Sequence, residues 1–274
     1  MTLVYACIVP HGGEIVPRLA GRELKLFAPT RIGMRQVAAQ MGAARPDTIV
    51  LASPHNLRLH KHLGVVLAEN STGRVAEGRR EISLRSRCDV ELAWKILREA
   101  EREGLPVVGA NYGTFEGPLS NLAMDWATLI PMWFFVRERR LRSRLVIVTP
   151  SREVPLKENF AFGRAIARAA EKSKSRVAFV ASSDQAHAHR KGGPYGFSPK
   201  ASTYDGLVVE AVREDKLKSI MKFPRKLVEA AKPDSLWQMT VLAGVLEEVP
   251  MRGELLSYQV PTYYGMLCAG YTIG

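Results

Sequence analysis

Short continuous apolar runs, rich in valine, isoleucine and leucine, recur along the chain. Runs of this length without polar alternation are typical of strands that are buried on both faces of a parallel sheet. We therefore predict strands over Leu3–Val9, Thr48–Ala52, Leu145–Thr149, Val177–Ala181 and Met266–Ile273.

Segments with helical character lie between these strands. One of them is preceded by Asp89, a suitable N-cap residue, and followed by Gly104, a suitable C-terminal stop. Strands that alternate with helices favour a parallel sheet covered on both faces. We expect an α/β fold with a single domain over residues 1–274 and a mostly parallel central sheet. The predicted helices are Arg31–Ala43, Val90–Glu103, Lys157–Lys172, Gly206–Glu214 and Leu236–Glu247.

The region Leu63–Cys88 has a different pattern. Gly64–Glu69 and Glu81–Arg85 alternate apolar and polar residues on either side of Asn70-Ser-Thr-Gly. This alternation predicts an antiparallel hairpin addition, or an antiparallel edge of the same sheet. A second unusual segment, Gly192–Pro199 (GGPYGFSP), combines turn residues with aromatics and is predicted to be an ordered loop over a site.

Composition narrows the class of protein. The chain has 274 residues, 46 % of them hydrophobic and 24 % charged, which is ordinary for a folded protein. The three cysteines, Cys7, Cys88 and Cys268, are too widely spaced for a disulfide scaffold or a CxxC zinc site. The apolar runs are shorter than the roughly 18 residues of a membrane span. The first residues lack a basic leader, so we expect a cytoplasmic protein with no membrane partner.

Charge and short motifs exclude further classes. There are 39 Lys and Arg against 27 Asp and Glu, a net charge of +12. No nucleic-acid-binding signature accompanies this excess, so no nucleic-acid partner is predicted. Walker and Rossmann glycine patterns are absent from the sequence. Ser182 and Ser183 lie outside any Gly-x-Ser-x-Gly elbow, which argues against a serine hydrolase.

Three of the six histidines follow predicted strands. His11, His55 and His187 come shortly after the first, second and fourth of the strands given above. In an open α/β sheet the carboxyl ends of parallel strands meet at one edge, where ligands bind. Pro10 and Pro54 directly precede two of these histidines and stiffen the chain as it leaves the strand. We therefore expect the three imidazoles to share one site.

The other histidines have less informative surroundings. His60 and His62 lie beside Arg58 and Lys61, a pattern typical of a solvated basic loop. His189 is two residues beyond His187 and is expected to lie behind the residues that form the site. The alternative is that His189 takes the role proposed for His187.

Three short segments of the chain resemble a known family: PHGG at His11, SPHN at His55 and SSDQAH at His187. The family is the class III extradiol ring-cleavage dioxygenases, of the protocatechuate 4,5-dioxygenase catalytic-subunit type. The relatives of this family include Memo-like proteins. The segment at residues 193–212 (GPYGFSPKASTYDGLVVEAV) is similar to the family as well, and the resemblance covers nearly the whole chain. The resemblance implies that His11 and His55 bind iron and that His187 is the catalytic acid and base.

The chain departs from this family at two positions. The family places its third ligand, a glutamate, just before the C-terminal helix, and Memo-like relatives have a cysteine there. Asp234 is the nearest carboxylate here and is the candidate, ahead of Glu229 and Glu14. A substrate-contacting histidine of the family is replaced by Trp126. This replacement affects both the expected dioxygenase activity and the expected shape of the substrate pocket.

Several further residues are candidates around the site. Gly12, Tyr195, Phe197 and Trp126 are predicted to contact substrate. Asp184 is predicted to orient His187 or a neighbouring loop, and His189 to lie behind the ligands. The alternative for Tyr195 and Phe197 is that they anchor their loop to the core. The alternative for Asp184 is a turn residue.

Two imidazoles and one carboxylate form the facial triad of non-haem Fe(II) oxygenases. With Fe(II) as cofactor, a small aromatic diol and O₂ would be the partners, and no organic cofactor is needed. Zinc also suits this ligand set and would support a hydrolase. A third alternative is a Memo-like metal-binding or interaction protein without ring cleavage. The resemblance also implies association into a homo-oligomer.

Overall fold

The computed structural model describes residues 2–274, apart from the side chain of Glu23. Its β-strands are β1 (Leu3–Val9), β2 (Thr48–Ala52), β3 (Leu63–Val66), β4 (Asn70–Glu77), β5 (Arg80–Arg87), β6 (Val107–Ala110), β7 (Asn121–Ala123), β8 (Arg144–Thr149), β9 (Val177–Ser182), β10 (Arg252–Gln259) and β11 (Met266–Thr272). Its α-helices are α1 (Pro17–Ala20), α2 (Ala28–Ala44), α3 (Val90–Arg102), α4 (Trp126–Met132), α5 (Leu156–Glu171), α6 (Pro199–Arg213), α7 (Arg225–Ala231) and α8 (Leu236–Glu248). All five predicted strands are confirmed.

Eight strands form one sheet in the order β10-β11-β1-β9-β2-β8-β3-β6. The central strands β1, β9, β2 and β8 are parallel neighbours. Strand β11 pairs antiparallel with β1 on one side, and β3 pairs antiparallel with β8 on the other. The predicted mostly parallel sheet is therefore confirmed, with antiparallel strands outside its centre.

The predicted hairpin exists at a different place. Strands β4 and β5 pair antiparallel, and the turn between them contains Gly78 at a φ of +58°. A left-handed φ favours glycine, which is why the chain turns there and not at Asn70-Ser-Thr-Gly, which begins β4. The prediction that residues 64–69 form one arm was wrong: β3 belongs to the large sheet, while β5, β4 and β7 form a separate sheet.

The five predicted helices are confirmed, with shifted ends. The Asp89 side chain accepts a hydrogen bond from the Leu92 N–H at 3.2 Å and caps α3, and Gly104 follows that helix at a φ of +68°. The largest difference is α6, which begins at Pro199 and not at Gly206. Ser198 caps its first turn, and proline is favoured at the first helical position.

The helices bury the sheet from both sides. Helices α3, α5, α6 and α8 pack on one face, and α2, α4 and the small sheet cover the other. Because β1, β9, β2 and β8 are parallel, their carboxyl ends meet at one edge of the sheet, where ligands bind in open α/β folds. Within residues 2–274, none of the helices has both the length and the apolar composition needed to cross a membrane.

Candidate metal centre and active site

Two strand ends, with β9 between their strands, and one helix connection bring three side chains together. His11 follows β1, His55 follows β2, and Asp234 lies in the connection between α7 and α8. The Nε2 atom of His55 is 3.0 Å from Oδ2 of Asp234, and Nε2 of His11 is 3.5 Å from the same oxygen. One ligand atom from each of the three residues lies within 4.8 Å of the others. The three residues predicted as ligands thus form one cluster.

A hydrogen-bond chain fixes which nitrogen of His11 is available. The buried hydroxyl of Ser182 donates to the Ala127 carbonyl at 2.6 Å, so its proton is already used. Its oxygen lies 3.0 Å from Nδ1 of His11 and must accept from an Nδ1–H. Nε2, the atom that faces Asp234, is therefore the nitrogen of His11 that can bind a metal.

A second carboxylate lies against His11. Asp184 accepts a hydrogen bond from the His11 backbone N–H at 3.0 Å, and its Oδ2 is 3.2 Å from His11 Nε2. Burial alone would lower the pKa of His11, but Asp184 and Asp234 outweigh it and raise this pKa to about 9. Burial raises the pKa of Asp184 to about 6, whereas for Asp234 the histidines overcome burial and hold the pKa well below its usual range. The cluster is thus arranged to hold a positive charge at His11 Nε2.

The residues of this cluster fit a divalent transition metal. Asp234 is only 6 % exposed, and within the described residues its Oδ1 atom has no hydrogen-bond partner. A buried carboxylate oxygen without a partner is costly, and a cation would satisfy it. Two imidazole nitrogens and a carboxylate are the donors that such metals take in proteins.

His187 is held in one orientation at the edge of the cluster. Its Nδ1 lies 3.1 Å from the Lys232 carbonyl, which can only accept, so Nδ1 carries the proton. Its backbone N–H donates to the Ala231 carbonyl at 3.0 Å. The ring stacks on Tyr264 with centroids 5.4 Å apart, and it forms an edge-to-face pair with Tyr195 with centroids 5.2 Å apart. The Nε2 atom of His187 is thus left with its lone pair free to accept a proton.

His189 belongs to a separate buried group. Its Nε2 lies 2.9 Å from Oδ2 of Asp205, which also accepts from the Tyr258 hydroxyl at 2.8 Å. The other oxygen of Asp205 accepts from the Ala186 N–H at 2.9 Å. Asp205 therefore holds the chain on both sides of His187.

Trp126 packs against one of the proposed metal ligands. Its ring stacks on His55 with centroids 4.2 Å apart and an interplanar angle of 23°. It is the first residue of α4, whose N-cap residue Asp125 accepts hydrogen bonds from Thr128 and from the Ser53 hydroxyl. The indole is 48 % exposed and supports the His55 ring.

A cavity of about 850 Å³ opens beside the cluster. The residues that line it include His55, Asp234, His187 and Tyr195. Trp126, Phe197 and Gly12 lie outside the described lining of this cavity, and the contact of each with substrate stays a prediction. At Gly12 a Cβ atom would collide with the Tyr264 hydroxyl, so glycine is needed for close packing there.

Sequence reasoning missed several residues of this site. Ser182, Asp125 and Asp205 act through contacts between distant segments, for which the sequence carries no local signal. Arg152, which also lines the cavity, had a signal: it follows the predicted strand Leu145–Thr149 in Pro-Ser-Arg, much as His55 follows its strand.

Comparison with known proteins supports the resemblance noted above. The family model of the catalytic LigB subunit of aromatic ring-opening dioxygenase matches residues 5–268. Protein CA_C1420 of Clostridium acetobutylicum is 23 % identical over 253 residues, which cover 92 % of this chain and 54 % of that relative, so the chain spans about half the relative's length. The crystal structure of uncharacterized protein JW3007 from Escherichia coli K12 has the same fold, with a TM-score of 0.62 at 15 % sequence identity. The superposed region covers 99 % of this chain and 100 % of JW3007. By the match over nearly its whole length, the chain belongs to the LigB family of catalytic subunits of aromatic ring-opening dioxygenases.

Proposed function

We propose that the protein is a non-haem Fe(II)-dependent extradiol dioxygenase that cleaves a catechol-type ring with O₂. The observation that carries this proposal is the cluster of His11, His55 and Asp234 beside a histidine whose Nε2 is free to accept a proton. Membership of the ring-opening family supports the reaction class.

His11, His55 and Asp234 would hold the metal ion. Their two neutral nitrogens and one carboxylate leave a divalent ion with net positive charge and with positions open to substrate. Fe(II), when bound there, supplies the electron transfer between an aromatic diol and O₂. The hydrogen bond from His11 to Ser182 keeps Nδ1 protonated, so that Nε2 is the nitrogen that would give up its proton and bind the metal.

His187 would move the proton of the reaction. Its Nε2 accepts a hydroxyl proton from the diol, because the bond to the Lys232 carbonyl keeps the other nitrogen protonated. The same atom can return that proton to the ring-opened product, so no net proton is consumed. Both atoms of O₂ then reside in that product, which balances the reaction without an added reductant.

Other features of the proposal rest on the sequence alone. We propose one catalytic domain over residues 1–274, a cytoplasmic location and assembly into a homo-oligomer. Trp126 motivates the alternative, a metal-binding protein of the same family without ring cleavage, because it occupies the position of a substrate-contacting histidine. Zinc-dependent hydrolysis on the same ligands is the other alternative.

The first experiment measures metal content after anaerobic loading with Fe(II). We expect about one iron per wild-type chain and loss of that iron in His11→Ala/His55→Ala. The matched control is His60→Ala/His62→Ala, which removes two exposed histidines and should retain the iron.

The second experiment measures oxygen uptake by the loaded protein with a panel of catechols. Uptake that depends on a catechol, together with a yellow ring-opened product, supports the dioxygenase. Iron binding without turnover of any catechol would favour the metal-binding alternative. Preference for zinc, with hydrolysis of an ester or amide, would favour the hydrolase.

A further inference from the structure

The amino edge of the large sheet, opposite the edge that carries the metal ligands, is strongly basic. Strands β9, β2 and β8 are neighbours, and the segment before each of them contains arginine or lysine. Two cavities of about 590 and 950 Å³ open here, and Arg144 lines both, so they adjoin. We call the two cavities together the basic groove. Its cationic residues besides Arg144 are Arg45, Arg85, Arg87, Arg140, Arg142 and Lys174.

Hydrogen bonds join the three segments that precede these strands. The Asp47 N–H donates to the Arg176 carbonyl at 2.8 Å, and the Arg144 N–H donates to the Asp47 carbonyl at 2.8 Å. The Arg144 guanidinium also donates to the Ser175 hydroxyl at 3.2 Å. The backbone that carries the cations is therefore fixed before any ligand binds, which lowers the entropic cost of binding.

The basic groove has an excess of positive charge. The carboxylates that line it are Asp47, Glu69 and Glu91, against seven cationic side chains, which leaves an excess of four. Two of these carboxylates are engaged by backbone N–H groups. Asp47 accepts from the Arg176 N–H at 2.8 Å, and Glu69 accepts from the Gly117 N–H at 3.0 Å.

Most of the cations in the groove have no anionic partner. Arg144 is paired with Asp89 at 2.9 Å. Lys95, bonded to Glu91 at 2.7 Å, lowers the pKa of that carboxyl, and the charge of Lys174 lowers it further. Within residues 2–274 the other cations form no ion pair, so an anion with several charges would find them free. These are Arg45, Arg85, Arg87, Arg140 and Arg142.

The loop of residues 111–120 contributes Gly117 to the wall of the groove. Its large apolar side chains, Tyr112, Phe115 and Leu119, are 75 %, 85 % and 71 % exposed. Exposed apolar side chains are common one at a time, but several together in one loop mark a binding surface. Two of the three are aromatic rings beside a basic cavity.

Hydrogen bonds hold this loop in one conformation. The Asn111 side chain accepts from the Tyr112 N–H at 2.7 Å and donates to the Thr114 carbonyl at 3.1 Å. Gly113 has a φ of +86°, and a Cβ atom there would collide with the Leu119 carbonyl. The two arms of the loop thus pack on each other, and the rings stay exposed on a fixed backbone.

A basic groove beside exposed aromatic rings is the arrangement with which proteins bind single strands, because cations contact the phosphates and rings stack on the bases. We propose that the basic groove binds single-stranded nucleic acid, with its bases stacked on Tyr112 and Phe115. A duplex would meet the same cations, but its bases are stacked inside and leave the rings without a partner. No local motif marks this groove, since its cations come from four separate parts of the chain. For that reason the sequence alone predicted no nucleic-acid partner.

The test measures binding of fluorescein-labelled oligonucleotides to the Zn²⁺-loaded protein by fluorescence anisotropy over a range of KCl concentrations. The single strands are an oligothymidylate and an oligouridylate of about 15 nucleotides, which differ in the 2′-hydroxyl. A DNA duplex of the same length is the third probe. We expect at least one single strand to bind more tightly than the duplex. With an excess of four positive charges, the logarithm of its association constant should fall with the logarithm of salt at a slope of about −3.

Arg87→Gln/Arg140→Gln/Arg142→Gln removes three exposed cations of the groove. Each phosphate contact of a single strand contributes about −0.7 to the slope, so this variant should bring it to about −1. Affinity at low salt should fall as well.

The matched control removes three exposed cations that form no ion pair in the described part of the chain. It is Lys200→Gln/Arg213→Gln/Lys226→Gln, on α6 and α7. Helix α6 packs on α7 and on β10, a strand at the far side of the sheet from β8. The slope measured for the wild type should therefore persist.

Loss of one ring should weaken binding at an unchanged slope, because a ring carries no charge. Phe115→Ala and Tyr112→Ala should each weaken single-strand binding about fivefold or more, the contribution of stacking one base. Leu119→Ala is the matched control. It removes an exposed apolar side chain of the same loop but no ring, so the affinity should stay that of the wild type.

Duplex binding as tight as single-strand binding would overturn the assigned stacking. A slope lowered equally by both triple variants would show diffuse attraction to a basic protein, and lack of binding by both single strands would overturn the site as a whole. Every variant should keep the Zn²⁺ affinity of the wild type, because the groove and the metal ligands lie at opposite edges of the sheet. No iron or catechol takes part, so the outcome is independent of the proposed dioxygenase.

Discussion

Replacing Ser182 by alanine tests whether the hydrogen bond behind His11 controls metal binding. The Ser182 hydroxyl is fully buried; it accepts from His11 Nδ1 at 3.0 Å and donates to the Ala127 carbonyl at 2.6 Å. Alanine leaves both of these groups buried without a partner. Each such loss costs about 1–3 kcal/mol of the free energy of unfolding.

The effect on metal binding follows from the same contact. Without Ser182, His11 loses the acceptor that keeps its proton on Nδ1 and its lone pair on Nε2. Loss of such a partner lowers metal affinity by about 10–100-fold, which corresponds to about 1.4–2.8 kcal/mol. A chelator-competition titration with Zn²⁺ measures the affinity, and urea unfolding of the metal-free protein measures the stability.

Ser183→Ala is the matched control. Ser183 is adjacent and equally buried, but within the described residues its hydroxyl has no hydrogen-bond partner. We expect its replacement to leave metal affinity unchanged and stability unchanged or slightly higher. Equal metal affinities of the two variants would refute the assigned role of Ser182, even if Ser182→Ala is the less stable protein.

Three further predictions concern protons and ring contacts. Burial lowers the pKa of His11, but Asp184 and Asp234 raise it to about 9 in the metal-free protein, so a metal must displace a proton below that pH. Zn²⁺ affinity should rise from pH 7 to pH 9 by up to about tenfold per unit and level off above; a flat profile would contradict this pKa. His187→Gln should slow catechol cleavage about 10²–10⁴-fold at unchanged iron content, and a parallel loss of iron would instead indicate a structural role. Trp126→Ala removes the stacking on His55, worth about 0.5–1.5 kcal/mol, and should weaken metal binding about two- to twelvefold. Trp126→Phe should recover most of that loss in the same titration.

The sequence was sufficient for the centre of the fold because its strands are buried on both faces. Runs such as Leu3–Val9 carry an uninterrupted apolar signal, and their order along the chain forces the histidines that follow them to one edge. Strand β10 was missed because Arg252–Gln259 lies at the sheet edge and mixes polar with apolar residues. The hairpin was misplaced because its turn depends on one left-handed glycine, Gly78, and not on the polar run at Asn70.

The chemistry of the site was less visible in the sequence. A histidine after a strand is a local signal, and it predicts a shared edge. The bond from His11 to Ser182 joins residues 171 positions apart, and the contact between His55 and Asp234 spans 179 positions. Such contacts arise from the strand order, which periodicity alone does not specify. They decide which nitrogen is free to bind a metal.

The strand order also separates two anchors of the site. Along the carboxyl edge the order β1, β9, β2, β8 places His11 and then His187 and His55 before Arg152. The β9 end is tied to α4 through Ser182 and the Ala127 carbonyl, whereas the β8 end is tied to α5 through Asn159.

Because these anchors share no residue, changes at one should not pass to the other. Ser182→Ala should therefore weaken Zn²⁺ binding. Asn159→Ala, which removes the β8 anchor, should lower the free energy of unfolding and leave Zn²⁺ affinity unchanged. Weaker Zn²⁺ binding by Asn159→Ala would show that the two strand ends act as one unit.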